Sequence, residues 1–287
     1  MKSKLSKVVI PIAGLGTRML PATKAIPKEM LPVVNKPIIQ LIVEEVESAG
    51  FEEVIFVTHS SKSSVENHFD RSFELETTLE KRVKRSLLKE LKSISNLKIS
   101  IFSVRQSFAL GLGHAISCAK KIVKGEPFAI ILPDMILKEL SKGKNLSILK
   151  EKYEKTGDSQ ILLAKAAKKE ISNYGVVEIS STFIKKITEK PSEKQINSNL
   201  FAVGRYVFKS DIFKYIDKKQ KSKNTEIDFS SAIQKYIKSG NRISYTILKD
   251  KYFDCGNILG YLEAIVNFAL DDKAFGKKFK MILKKIS

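Results

Sequence analysis

The chain reads as an α/β protein: a Rossmann-like open, mostly parallel mixed sheet flanked by helices, with a smaller β-rich lobe and C-terminal helices. Three observations lead there. Short apolar runs, the first of them over 7–13 too hydrophobic for an exposed edge, alternate with segments of helical period through the first half. The second half changes to closely spaced β-type runs, several of them alternating and punctuated by lysine. From Asn257 onwards the period is helical again. With 287 residues, 43% of them hydrophobic, the chain can bury a substantial core as one large domain or two intimate halves.

The elements follow in order. Residues 7–13 form a buried strand. Residues 36–49 place Ile38, Leu41, Ile42, Val46 and Ala49 on one helical face and stop at Gly50. A strand spans 53–58. Ser63 and Glu66 fit a capping box, and Leu75, Leu79, Val83, Leu87 and Leu91, each four residues apart, extend it into one long helix before a strand over 97–104. A helix over 114–123 and a strand over 127–132 close the first half. β-rich segments follow at 160–166, 174–179, 183–188 and 200–208. The polar stretch 214–223 reads as a helix end with a loop. Residues 229–239 form a helix ending before Gly240, and Leu259, Leu262, Ile265, Val266 and Ala269 mark the amphipathic face of another.

The strongest chemical signal follows the first strand. Ile12-Ala13-Gly14-Leu15-Gly16-Thr17-Arg18-Met19-Leu20-Pro21 sets two glycines and an arginine directly after an apolar run, and Lys28-Glu29-Met30-Leu31-Pro32 adds a lysine. Glycines let backbone N–H groups approach an anion while Arg and Lys neutralise it, which is the design of a nucleoside triphosphate cradle. A Walker A loop needs Lys-Ser or Lys-Thr after its last glycine, and Thr17-Arg18 stands there instead. A dinucleotide fingerprint needs a third glycine where Met19 stands and an acidic end to the second strand, which closes Thr58-His59-Ser60.

Composition narrows the rest. The net charge of +20 invites a polyanion partner, but lysines are spread through nearly every segment and there are only seven arginines, so a solvated basic surface is the better reading than specific nucleic-acid binding. No stretch approaches membrane-spanning length, and the six-residue apolar run 8–13, broken by Pro11, is no secretion signal. Cys118 and Cys255 lack the spacing of a zinc or redox pair, which fits reduced thiols in a cytoplasm.

Together these blocks carry a resemblance. PIAGLGTRMLPATKAIPKEMLPVVNKP (11–37), THSSKSSVENHFD (58–70), LEKRVKR (79–85), VRQSFALGLGHA (104–115), ILPD (131–134), YGVVE (174–178), EKP (189–191), VGRYVF (203–208) and DCGN (254–257) are similar to the bacterial UTP:glucose-1-phosphate uridylyltransferases, or UDP-glucose pyrophosphorylases, of the nucleotide-sugar pyrophosphorylase superfamily, over nearly the whole chain. The resemblance implies one nucleotidyltransferase domain, 1–287, with a nucleotide-binding half at about 1–140, a sugar-binding half at about 141–256 and a C-terminal helical segment at about 257–287. It implies UTP and glucose 1-phosphate as substrates, Mg²⁺ as cofactor, UDP-glucose and pyrophosphate as products, and a cytoplasmic homodimer or homotetramer that needs neither nucleic acid nor membrane. Catalysis without a covalent intermediate then rests on alignment and charge neutralisation.

The resemblance and the residue chemistry assign roles. Arg18, with its fork of donors, clamps the triphosphate, and Lys28 reaches the same phosphates or those of the sugar. Ala13 and Gly14 meet the base through their backbone, Gly16 and Thr17 complete the cradle, and Glu29 contacts that side of the pocket, although on its own it reads as a surface carboxylate. Gln106 reads the base with its amide, donating to one uracil oxygen and accepting from the ring N–H, and Gly111 lets the base lie against the backbone, as does Gly113. His114 packs or caps. Asp134, ending an apolar strand, is the metal carboxylate, and Asp254 is the second, with a helix N-cap as its competing role. Glu189 accepts from glucose hydroxyls, Lys190 holds the sugar phosphate, and Gly175 and Gly204 line the sugar pocket, where a methyl group would intrude on the ligand. Two departures stand out: Ile258 where the family has Lys in GNKLGY, and Phe229-Ser230-Ser231-Ala232 where it has LTDA. A thymidylyltransferase of the same superfamily, a catalytically silent nucleotide-sugar sensor and a basic nucleic-acid binder remain as other readings, with the 5-methyl group of thymine too small a difference to resolve.

Overall fold

The computed structural model describes residues 4–217 and 225–286. Its strands are β1 (Lys7–Pro11), β2 (Pro32–Val33), β3 (Lys36–Pro37), β4 (Glu53–Thr58), β5 (Ser100–Arg105), β6 (Phe128–Ile131), β7 (Met135–Lys138), β8 (Ser159–Lys165), β9 (Gly175–Ser180), β10 (Phe183–Glu189), β11 (Leu200–Phe208), β12 (Ile243–Ile247) and β13 (Lys251–Asp254). The helices are α1 (Ile38–Ser48), α2 (Ser63–Phe69), α3 (Phe73–Lys81), α4 (Arg85–Ser95), α5 (Leu112–Cys118), α6 (Lys120–Val123), α7 (Lys144–Thr156), α8 (Lys168–Ile171), α9 (Phe229–Lys238), α10 (Ile258–Asp271) and α11 (Gly276–Ile286).

Nine strands make one sheet in the order β5-β4-β1-β6-β11-β8-β12-β10-β9. The first four run parallel, β11 runs antiparallel to both β6 and β8, and β12 is again parallel to β8. The β-rich second half therefore extends the same sheet. Both faces are covered: Val8 and Ile10 of β1 join one apolar cluster with α1, α7 and α10, while Val9 joins the other with α5, α6 and α9. That explains why these strands read as continuous apolar runs and not as alternating ones.

Two smaller features position the site. Helix α1 buries Ile38, Ile39, Ile42, Val43 and Val46 and ends at Gly50, whose φ of 73° closes it as the glycine predicts. Strands β7 and β13 form a separate antiparallel ribbon in which Met135 faces Asp254. This register brings the end of the β6 loop to the start of the α10 loop.

The single long helix expected after Ser63 is three short ones. Asp70 is extended at the end of α2, and Val83 takes φ 54° between α3 and α4, a left-handed conformation that a β-branched residue rarely adopts. Apolar residues spaced strictly by four advance by roughly 40° per step around a helix, so no common face exists to bury. Leu75 and Leu87 accordingly stay half exposed. The Ser63/Glu66 capping box does not form, because a 3₁₀ turn over Ser60–Lys62, begun by His59 accepting from the Ser61 N–H, runs directly into α2. The helix expected over 114–123 is divided into α5 and α6. Of the polar stretch 214–223, positions from 218 on lie outside the described residues.

Packing at the α10 entrance yields a test. A Cβ on Gly260 would lie 2.2 Å from the carbonyl oxygen of Asp254. Gly260→Ala is expected to destabilise the fold by about 1–3 kcal/mol, read as a lower urea midpoint at unchanged slope.

Candidate active site

The loop after β1 carries the first half of the site. Gly16 sits at φ 69°, where its carbonyl accepts from Thr23 Oγ1 at 2.7 Å, and the turn then enters a 3₁₀ helix over Thr17–Met19 that displays Arg18. Asp134, in the loop after β6, meets this turn through Lys28, whose Nζ donates to its Oδ2 at 2.9 Å. Burial alone would discharge both groups. For Asp134 that effect is outweighed by the charge of Lys28, the hydrogen bond from it and the charge of Arg18, which together hold the carboxyl below the usual aspartate range. For Lys28, burial is likewise outweighed, by Asp134 and Glu29, and its ammonium stays charged above the ordinary lysine value.

Asp254 enters from the ribbon. Its Oδ1 accepts from the Gly256 N–H at 2.9 Å, its Oδ2 from the Tyr174 hydroxyl at 3.1 Å, and the Cys255 N–H donates to the Asp134 carbonyl at 2.7 Å. A Cβ on Gly256 would stand 2.9 Å from Arg18 Nη2, 2.9 Å from Asp254 Oδ1 and 3.3 Å from Asp134 Oδ2. Two carboxylates and a guanidinium thus converge over one glycine. The helix cap that competed for Asp254 is Asn257, which accepts from Gly260 N at 2.9 Å.

Two cavities meet at this point. One, of about 510 Å³, is lined by Ala13, Gly14, Thr17, Arg18, Lys28, Gln106, Gly111, Asp134 and Glu226 among others. The second, of about 310 Å³, is lined by Arg18, Asp134, Gly175, Glu189, Lys190, Gly204, Glu226 and Asp254 among others. Arg18, Asp134 and Glu226 belong to both.

Several expected residues stand differently from their sequence reading. Gly16 shapes the turn but does not line the cavity. Glu29 is not a surface carboxylate: it is 1% exposed, behind the cavity wall, with Oε2 accepting from Lys62 Nζ at 2.8 Å. Gln106 donates through Nε2 to the Gly111 carbonyl at 3.1 Å and to His114 Nδ1 at 3.0 Å, so its amide hydrogens are spent inside the protein and it offers its oxygen as acceptor. A Cβ on Gly111, at φ 100°, or on Gly113 would lie 2.8 Å from atoms of Glu226 or Ile227, so the missing side chains let a crossing segment pack there, while Gly111 also lines the first cavity. The segment over the glycines is protein. At Gly204, φ 75°, a methyl would strike Leu132 at 2.9 Å before it met a ligand. Gly175 does face site groups, with Glu189 Oε2 3.2 Å from its Cβ position.

On the sugar side Ser230 Oγ donates to Glu189 Oε2 at 2.7 Å, and Lys190 holds φ 41° with its N–H on the Tyr174 carbonyl at 3.1 Å. A lysine in left-handed backbone costs on the order of 1–2 kcal/mol and is tolerated where the surroundings over-determine it. Ser231 donates its N–H to Asp228, the N-cap of α9, so the acid absent at 231 is supplied three residues earlier. Ile258 is 53% exposed on α10 and lines neither cavity.

The comparisons with known proteins give the family. The model of the nucleotidyl transferase family matches residues 7–270. A UTP–glucose-1-phosphate uridylyltransferase of Haemophilus ducreyi is 46% identical, with 98% of this chain and 99% of that protein covered. One from Escherichia coli K12 is 45% identical, covering 99% and 97%. This chain belongs to the UTP–glucose-1-phosphate uridylyltransferase family of nucleotidyl transferases. A solved structure described as UTP-bound UGPase from Acinetobacter baumannii superposes with a TM-score of 0.91 at 39% identity, covering 99% of this chain and all of that one. Another, a UDP-glucose pyrophosphorylase complexed with UDP-glucose, gives 0.83 at 36% identity, covering 93% and all of it.

Tyr174, Gly256 and Glu226 were missed as site residues by sequence reasoning. Tyr174 and Gly256 lay inside quoted motifs, but only their hydrogen bonds to the Asp254 carboxylate show that they orient it. Nothing local marks Glu226, which reaches the site through its crossing over Gly111.

The ion pair fixes a pH dependence. In the native chain the Asp134 carboxylate contributes stability above the ordinary aspartate range, and that contribution is lost only as pH falls through its depressed value. In Lys28→Met that charge and hydrogen bond are lost while burial remains, so the Asp134 carboxyl titrates higher than in the parent. The stability gap between parent and Lys28→Met is expected to be full above the aspartate range and to narrow as pH falls through that range towards the parent's depressed value, read by thermal unfolding; a gap that does not change there would exclude the coupling.

Proposed function

We propose that this chain transfers a uridylyl group from UTP to glucose 1-phosphate. A phosphate oxygen of the sugar attacks the α-phosphorus in line, the bond from that phosphorus to the β-phosphate's bridging oxygen breaks, and pyrophosphate leaves as UDP-glucose forms. The observation that carries the reading is the meeting of two cavities at Arg18 and Asp134: one holds the family's nucleotide motifs and the other its sugar motifs, so the reacting groups of two ligands would meet between them.

Each residue then has a task. Ala13, Gly14 and Thr17 line the nucleotide cavity, with Gln106 offering its oxygen to the uracil ring N–H and Gly111 closing the wall. Arg18 spans both cavities and follows negative charge as it moves onto pyrophosphate. Lys28, kept protonated by Asp134 and Glu29, holds phosphate oxygens beside it. Glu29, buried on Lys62, acts on nucleotide binding through Lys28. Glu189, steadied by Ser230, accepts from sugar hydroxyls, and Lys190 meets the sugar phosphate.

The donor set fits Mg²⁺. Asp134 and Asp254 supply hard carboxylate oxygens, and among the described residues no three His, Cys, Asp or Glu side chains form a closed cage. That suits an ion held by one or two carboxylates with substrate phosphates completing its shell. Bound there, Mg²⁺ would neutralise phosphate charge.

Both substrates are charged intracellular metabolites, which supports a cytoplasmic setting; among the described residues no helix is long and apolar enough to cross a membrane. Exposed Leu259 and Leu262 on α10 and Met281 and Ile282 on α11 support a homodimer or homotetramer.

The test is pyrophosphate release with UTP and Mg²⁺, with and without glucose 1-phosphate, and with dTTP, galactose 1-phosphate and EDTA as controls. Release is expected to require UTP, glucose 1-phosphate and metal, and a stronger response to dTTP would move the chain to the thymidylyl reaction. Asp134→Asn is expected to lose on the order of 100-fold or more in kcat. Lys190→Ala is expected to raise KM for glucose 1-phosphate roughly tenfold with little change in KM for UTP.

A further inference from the structure

Arg205 lines neither cavity, yet it is fully buried beside the site. From β11 its guanidinium donates to Glu45 of α1 through Nε at 2.8 Å and Nη2 at 2.7 Å. Two further N–H groups go to the backbone: Nη2 to the Met135 carbonyl at 2.9 Å and Nη1 to the Leu132 carbonyl at 3.3 Å. Those two carbonyls bracket Pro133-Asp134. The neighbouring Gly204 carbonyl accepts from Leu132 N at 2.9 Å, so β11 grips the same turn twice.

A buried ion pair is a weak source of stability, because desolvation offsets most of its attraction and an apolar pair of similar size is often as stable. Its planar fork, by contrast, fixes up to four acceptors in one plane, which lysine does not reproduce. We propose that Arg205 is a positioning residue for the metal: it holds the turn from Leu132 to Met135 and thereby sets where the Asp134 carboxylate stands. The inference rests on the reading of Asp134 as a metal ligand.

The experiment removes both charges in Arg205→Met/Glu45→Leu of the full chain and follows Mn²⁺ binding by electron paramagnetic resonance with UTP present. Alongside it run UTP binding in EDTA, kcat and KM, thermal unfolding, and the Asp134→Asn variant. The double variant is expected to unfold near the parent temperature and to bind UTP in EDTA as the parent does. Its Mn²⁺ affinity is expected to fall 10- to 100-fold, with the Mn²⁺ concentration for half-maximal turnover rising by the same factor. A folded double variant with parental Mn²⁺ affinity overturns the proposal. So does equal loss of metal-free UTP binding with a lower unfolding temperature, which marks a general structural role. Should the double variant not fold, Arg205→Lys keeps the charge opposite Glu45 without the fork, and parental Mn²⁺ affinity there overturns the proposal equally. If Asp134→Asn binds Mn²⁺ as the parent does, the metal reading itself fails, and this distinguishes the two failures.

Discussion

The ion pair between Lys28 and Asp134 is the constraint around which the site is arranged, because it joins two loops 106 residues apart at the point where both cavities open. The proposed reaction brings two phosphorylated anions together beside two carboxylates. Two unit charges about 4 Å apart repel by roughly 4 kcal/mol near a protein surface, close to a thousandfold in binding for a single pair. Cationic groups must therefore be in place before the ligands arrive. Arg18 and Lys28 from the connection between β1 and β2, and Lys190 from the end of β10, supply that charge, and the burial of Lys28 is tolerated because Asp134 keeps it protonated.

The sheet explains why those segments meet. Parallel β1 and β6 are neighbours, so the loops leaving their carboxyl ends share one edge, where open α/β sheets place ligand chemistry. Antiparallel β11 lies against β6 on the other side and brings Gly204 and Arg205 beside the Asp134 turn. The β7–β13 ribbon then returns the chain so that Asp254 arrives opposite Met135. None of these contacts is local in sequence, and each depends on registry across the sheet. A shift of one residue in the ribbon would turn Asp254 to the opposite face.

Strands β1, β4, β6, β8 and β11 were legible because burial on both sheet faces leaves a plain record of continuous apolar residues, and the residues that chemistry marks, Arg18, Lys28 and Asp134, do converge. The long helix was misread because spacing by four looks helical without defining a face. Val83 shows the cost, since the chain reverses at a residue that sequence rules reserve for glycine. At Ser231, where the family has an acid, the hydrogen bonds show that the cap of α9 is Asp228, three residues earlier.

The glycines illustrate the limit of motif reasoning. A glycine in a binding motif says that something approaches the backbone closely, but not what does so. At Gly175 and Gly256 the nearby atoms are side chains of the site, whereas at Gly111, Gly113 and Gly204 they belong to a crossing segment or a strand neighbour. Side-chain deletion therefore serves two ends in one site: it leaves room beside the ligand at some positions, and at others it lets the walls of the cavity close. The second use is invisible in the sequence because the partner, Glu226 to Asp228 or Leu132, lies tens of residues away. Glu29 carries the same lesson for charge, for a carboxylate beside a lysine reads as surface until the fold places Lys62 against it and removes both from water.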